Sequence, residues 1–423
     1  MQASIILSGV TFLCAFPLSA VVELYSSFGV FNQKGIFSKI LNGLFIAIAF
    51  FGGLNIIVNQ SHWLRLGSVK LYALLIAFIS TIVLLNFDEQ GYVGLLSKSA
   101  GAYHIPLLFD YLVYCILGTH LLHLRSFRYS FLISLMIAGY VTLTFVDFNT
   151  LRLDITGYVD KDLVGNYQFI GDTLAITSLM VIALFGNSLF RIALFAGTAI
   201  VLFLVGSRTS FAVFAFTGLI FMVLSFRVWW IILLGIVFLV AGFSYGNSIS
   251  LAELERLNPR MVQIFTEYED DSSIIGRKDR DDKGWEDISA HPIKGRFGGQ
   301  RDIEGWNAYM HNVFSYWRQF GAFPFGIVVV LYLFFFLICL LRFRQKSNDY
   351  YTVPFLLGLF LLVESIISRS YAFGYLHLTF GVLIAFHAWY KYGDYFTLAD
   401  ARRRTHRPRR RRKRTKTNQQ QIA

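Results

Sequence analysis

The sequence predicts an all-α polytopic membrane protein with about twelve transmembrane helices and one large polar loop. Three observations carry that prediction. Hydrophobic residues make up 55% of the 423 and charged residues only 15%, against about 45–50% and about 25% in soluble domains. The apolar residues fall in unbroken runs close to the length that crosses a bilayer. The short turns between the runs are basic on alternate sides, the signature of a chain oriented by its Lys and Arg.

Taken in order, the runs cover 4–22, 39–58, 70–86, 106–124, 129–146, 171–189, 192–206, 210–226, 228–245, 323–341, 350–368 and 372–390. The first lacks a basic start and is followed by eleven more, so it reads as a helix rather than a leader. The seventh and eighth are nearly continuous, broken only at Gly206-Ser207-Arg208-Thr209. Cys14, Cys115 and Cys339 lie widely spaced inside apolar runs. They read as packing residues, not as a disulfide framework or a metal knuckle.

With the N-terminus in the cytoplasm, one alternating set of turns holds Arg65/Lys70, Arg125/Arg128, Arg191, Arg227 and Arg342/Arg344/Lys346, together with the C-terminal tail. The opposite set holds 87–105, 147–170, the turn at Arg208, the long segment 246–310 and the turn at Arg369. Both termini are therefore expected in the cytoplasm. The division is helices one to nine in 1–245, the external loop in 246–310, helices ten to twelve in 311–390, and a basic tail in 391–423. That tail carries ten of the twelve net positive charges. It has too few apolar residues to fold, and it reads as an orientation anchor that also meets anionic lipid. Nucleic acid is not an expected partner.

Ionisable residues are placed asymmetrically. Asp110, Glu364, Arg369 and His377 fall toward the external ends of their runs, while the middles of most runs are bare. An ionisable group inside a bilayer is costly, so this distribution points to a site opening outward. Two external stretches concentrate the polar residues. Gly276 to Gly295 reads as a helix stopping at Pro292, followed by the Gly-rich turn Gly295-Arg296-Phe297-Gly298-Gly299. His311 to Gly321 reads as a helix leading into the tenth run.

Arg208 and Arg277 lie on the same side, and a guanidinium grips phosphate oxygens bidentately. A nearby His exchanges protons at neutral pH. No nucleotide-phosphate loop and no carboxylate cluster for a catalytic metal is present in the sequence. Asp279, Asp281 and Asp282 alternate with Lys278, Arg280 and Lys283, as in a solvated mixed-charge helix. Arg318 and Arg369, at run ends, read as interface anchors, and Trp285 and Trp306 as rings resting on the bilayer.

The order Arg277, Trp285, His291-Pro292, Gly295, Gly298, then His311-Asn312 and Gly321, with Gly-Ser-Arg-Thr-Ser at 206–210, resembles the O-antigen ligase and polymerase superfamily of bacterial membrane glycosyltransferases. The resemblance spans roughly residues 150–340. It implies a GT-C-like fold in the bacterial inner membrane and metal-independent transfer, without a cofactor, of a glycan from undecaprenyl diphosphate at the periplasmic face. Arg208 and Arg277 would hold the donor diphosphate. His311 would orient or deprotonate the acceptor hydroxyl, or touch the leaving diphosphate. Asn312 and His291 would support it, and Gly295, Gly298 and Gly321 would permit tight turns. The acceptor is the lipid A core in a ligase, the slightly favoured reading, and a lipid-linked repeat unit in a polymerase. Other polysaccharide-assembly proteins are possible partners. A polysaccharide flippase is the alternative from another class, and a peptidoglycan glycosyltransferase a third.

Overall fold

The computed structural model describes residues 2–27, 34–93, 96–148, 151–153, 167–186, 188–225, 272–299, 310–343 and 349–405. Among the described residues eight helices are long and apolar enough to span a membrane: α1 (Ala3–Ser26), α2 (Gly35–Val58), α3 (Gly67–Leu85), α4 (Ala100–Leu121), α5 (Leu124–Thr144), α6 (Tyr167–Leu184), α7 (Ser188–Val205) and α8 (Arg208–Ser225). Beyond them lie α9 (Ser272–Ala290), α10 (Ser315–Phe320), α11 (Ala322–Phe343), α12 (Asp349–Ile367) and α13 (Tyr375–Thr405). The chain is thus an all-α, multi-pass membrane protein. The ninth run, 228–245, lies outside the described residues, as does Trp306.

Lipid-facing surfaces are visible directly. On α5, Ile133, Met136 and Tyr140 are each at least 60% exposed, and an apolar belt of that kind marks a membrane contact. α6, by contrast, is buried along nearly its whole length. Pro17 sits in a π turn, Cys14–Leu18, inside α1, where its missing N–H removes a helix bond. At the loops 87–105 and 147–170 lie two small antiparallel strand pairs, Gln90–Val93 with Leu96–Ser99 and, starting one residue before the second loop, Val146–Asp147 with Arg152–Leu153. The Ser99 hydroxyl then caps α4 by accepting the Ala102 N–H at 3.1 Å.

α4 and α13 cross at glycines. A Cβ on Gly118 would overlap the Leu378 carbonyl, and one on Gly381 the Cys115 carbonyl, so the backbones meet as small-residue interfaces in membranes do. α13 runs on to Thr405, so the first residues of the predicted unfolded tail continue the last helix. Residues 406–423 lie outside the described set.

Candidate functional site

The ends of α6, α8, α12 and α13 that meet the α9–α10 region surround one polar cluster. Asp172, in the second turn of α6, receives Arg369 in a bidentate pair, Nη2 to Oδ1 at 2.7 Å and Nε to Oδ2 at 3.1 Å. The same guanidinium reaches Glu364 at 3.2 Å, and Glu364 also accepts from Ser368 at 3.1 Å. Ser210 donates to Asp172 at 2.6 Å and bonds Ser207 at 2.7 Å. Gly171 is required there because a Cβ would strike the Ser207 hydroxyl. The turn after α7, with Gly206 at φ 72°, therefore fixes the start of α8, whose first residue is Arg208 and whose Ser210 lies one hydrogen bond from the carboxylate that holds Arg369. Arg369 is 6% exposed, so it is a buried pairing residue and not the interface anchor expected from its position.

Above this cluster stands His311. Burial lowers its pKa to about 4, and the guanidinium groups of Arg277, Arg280 and Arg369 add to the shift. The imidazole is therefore neutral at physiological pH. Arg277 also acts on Glu364, which draws three arginines and two carboxylates into one neighbourhood. Asn312 orders the loop: its Nδ2 donates to Asp281 at 3.2 Å and its Oδ1 accepts the Phe314 N–H at 3.1 Å. Asp281 also takes the backbone N–H of His311, and burial raises its pKa against that pull. The solvated mixed-charge reading of this helix holds for the exposed pair Asp279 and Lys283, 2.8 Å apart, but not for Asp281 and Arg280, which face the site.

The glycines build the support. Gly295 and Gly321, at φ 68° and 85°, press backbone against backbone, and a Cβ on either would collide with the other strand of chain. Arg296 donates its N–H to the Arg318 carbonyl at 2.6 Å, and Ala322 to that of Ile293 at 3.1 Å. The Gly298 N–H meets Gln319 Oε1 at 2.9 Å. Asp287 clamps both segments, accepting from Arg296 at 2.6 Å and Arg318 at 2.8 Å. Arg318 is 2% exposed and is the second predicted anchor that proves to be internal. The His311 helix is also shorter than expected: α10 begins only at Ser315 and leaves His311 in the turn before it, while Gly321, with ψ −179°, separates it from α11.

His291 stands apart. It is exposed, and its carbonyl accepts the Gly295 N–H at 2.9 Å as the chain leaves α9. Fourteen residues of helix separate it from Arg277, about 21 Å at 1.5 Å per residue.

A second polar set lies beneath α10. The His377 ring stacks on Tyr111, with centroids 3.8 Å apart. Its Nδ1 lies 2.9 Å from the Tyr72 hydroxyl and its Nε2 3.0 Å from that of Tyr316. Tyr72 donates its proton to the Tyr111 carbonyl at 2.9 Å. Its oxygen must then accept from Nδ1–H, leaving Nε2 to accept from Tyr316. The Ser315 hydroxyl accepts the Tyr371 N–H at 2.7 Å. α10 is thereby pinned to α13 directly after the His311 loop.

Beside the Asp172–Arg369 cluster and His311 lies a cavity of about 300 Å³, lined among others by Asp110, Gln168, Asp172, His311, Arg369 and Tyr375. Among the predicted site residues the structure unites Arg277, His311 and Asn312 at the cluster, gives Gly295, Gly298 and Gly321 to the support, and leaves His291 outside. The sequence reading missed Asp172, whose signal was its place inside an apolar run, where a charge is costly. No protein-family model matches the chain, and no curated protein matches it in sequence.

Proposed function

We propose that this protein is a membrane glycosyltransferase that moves a glycan from undecaprenyl diphosphate to an acceptor sugar at the external face, as a ligase to the lipid A core or as a polymerase to a lipid-linked repeat. The observation that carries the reading is the convergence of Arg277, Arg280 and Arg369 on a neutral His311 beside a cavity of about 300 Å³. Fixed guanidinium groups at a low-dielectric rim stabilise charge that develops on a leaving diphosphate. A neutral imidazole adds a hydrogen-bond donor without a further charge. The polar groups gather at one end of the bundle, which suits a one-sided reaction better than the midplane site of a transporter.

The test is a deletion strain complemented with wild type, Arg277→Ala or His311→Ala at matched membrane levels, reading surface glycan together with lipid-linked intermediates. The expected outcome is loss of transfer by about 100-fold or more, the scale on which one electrostatic donor is worth. Long lipid-linked chains left unattached identify a ligase, and accumulated single repeats a polymerase. Full restoration of surface glycan by both variants overturns the assignment.

A further inference from the structure

Resting on the reading of glycosyl transfer, we propose that Asp110 is the proton acceptor of the reaction and marks the acceptor end of the cavity. Asp110 is the eleventh residue of the 22 in α4 and lines the same cavity as His311 and Arg369. It lies half-way along the helix, deeper than its position in the predicted run implied. Among the described residues no hydrogen bond or ion pair to its carboxylate is found, and its neighbours in the cavity include Tyr114 and Tyr375.

An ionisable side chain inside a membrane helix is ordinarily paired with another group or marks a functional site. The other carboxylates have partners: Asp172 holds Arg369 and Ser210, Glu364 holds Arg369 and Ser368, and Asp281 holds Asn312. His311 stands among three guanidinium groups, where an added proton would be repelled. Among the described residues, that leaves Asp110 as the cavity-lining base open to a substrate proton. Its surroundings suit a sugar: Gln168 and Ser370 offer hydrogen bonds, and Phe169, Phe373 and Tyr375 offer ring faces.

The step balances. The acceptor O–H bond breaks and its proton passes to the Asp110 carboxylate. The acceptor oxygen forms a bond to the anomeric carbon, and the bond from that carbon to the phosphate oxygen breaks. The electron pair leaves with undecaprenyl diphosphate beside Arg277 and Arg369, and the Asp110 carboxyl returns its proton to water.

The experiment uses the full-length protein, with undecaprenyl diphosphate as the binding probe and membranes of the deletion strain as the source of accumulated glycan donor. Asp110→Asn is isosteric and breaks no ion pair among the described residues, so it should melt no lower than wild type. It should bind undecaprenyl diphosphate within about threefold of wild type yet transfer about 100-fold more slowly, or worse, the usual contribution of a general base. Asp110→Glu should recover part of the rate and decides the matter if the Asn variant folds poorly. Transfer by Asp110→Asn within about threefold of wild type overturns the proposal, as does a loss of probe binding equal to that of Arg277→Ala. Failure of the wild-type protein both to bind the probe and to transfer overturns the glycosyltransferase reading itself, and Asp110 with it.

Discussion

Asp172 and Arg369 are each 6% exposed or less, and removing one member of such a pair leaves the other charged without a partner. Asp172→Asn or Arg369→Ala should therefore destabilise the protein by about 3–5 kcal/mol, read as a fall in melting temperature in detergent. The Asp172→Asn/Arg369→Gln double variant should cost less than the two single changes together, which a double-mutant cycle checks. His311 supplies a pH prediction. Below its ordinary value of 6.5 the unfolded chain takes up a proton that the folded chain refuses until about 4. Stability linked to this group is thus present above pH 6.5 and is lost as pH falls toward 4. Melting temperature in detergent should therefore hold above pH 6.5 and fall toward pH 4. Arg280→Ala, by removing one of the cations that hold the proton off, should shrink that fall, because the folded chain then takes up its proton at a higher pH.

At the scale of elements, the α9–α10 clamp depends on Gly321. Its φ of 85° with ψ of −179° lies in a region that essentially only glycine visits. Gly321→Ala should cost about 1–3 kcal/mol and loosen the His311 loop, measured as lower melting and as transfer that falls while the Asp172–Arg369 cluster is untouched. The helices were legible because an apolar run of spanning length has few other fates: each predicted run within the described residues coincides with a helix. The stop of α9 before Pro292 and the turns at Gly206, Gly295 and Gly298 were legible for the same local reason. The strand pairs were not, since two to four residues carry too little periodicity to be read. Arg318 and Arg369 sat where interface anchors sit, and only a partner far along the chain, Asp287 or Asp172, turns them inward. Arg280 was hidden by its neighbours, because a helix of alternating charges does not say which face is buried.

For the described residues of the whole molecule, the polar cluster, the cavity and the α9–α10 segment occupy one end of the bundle, and the basic turns at Arg65, Arg125 and Arg191 occupy the other. In a cysteine-free background, Ile293→Cys, 67% exposed in the native chain, should react with an impermeant maleimide on intact spheroplasts. Ser126→Cys, in the exposed first turn of α5, should react only after permeabilisation. The reverse pattern would invert the topology and remove the external site. The pairing of Asp172 with Arg369 also sets a clock on biogenesis. The two residues are 197 apart in the chain, so at about 5–20 residues per second the ribosome takes about 10–40 s to deliver the second after the first. Through that interval the carboxylate of α6 waits near the aqueous mouth of a half-built bundle, and its release from waiting is the arrival of the last helical hairpin. A chain stopped before Arg369 would hold a stranded charge, a mark by which quality control can tell an unfinished protein from a finished one.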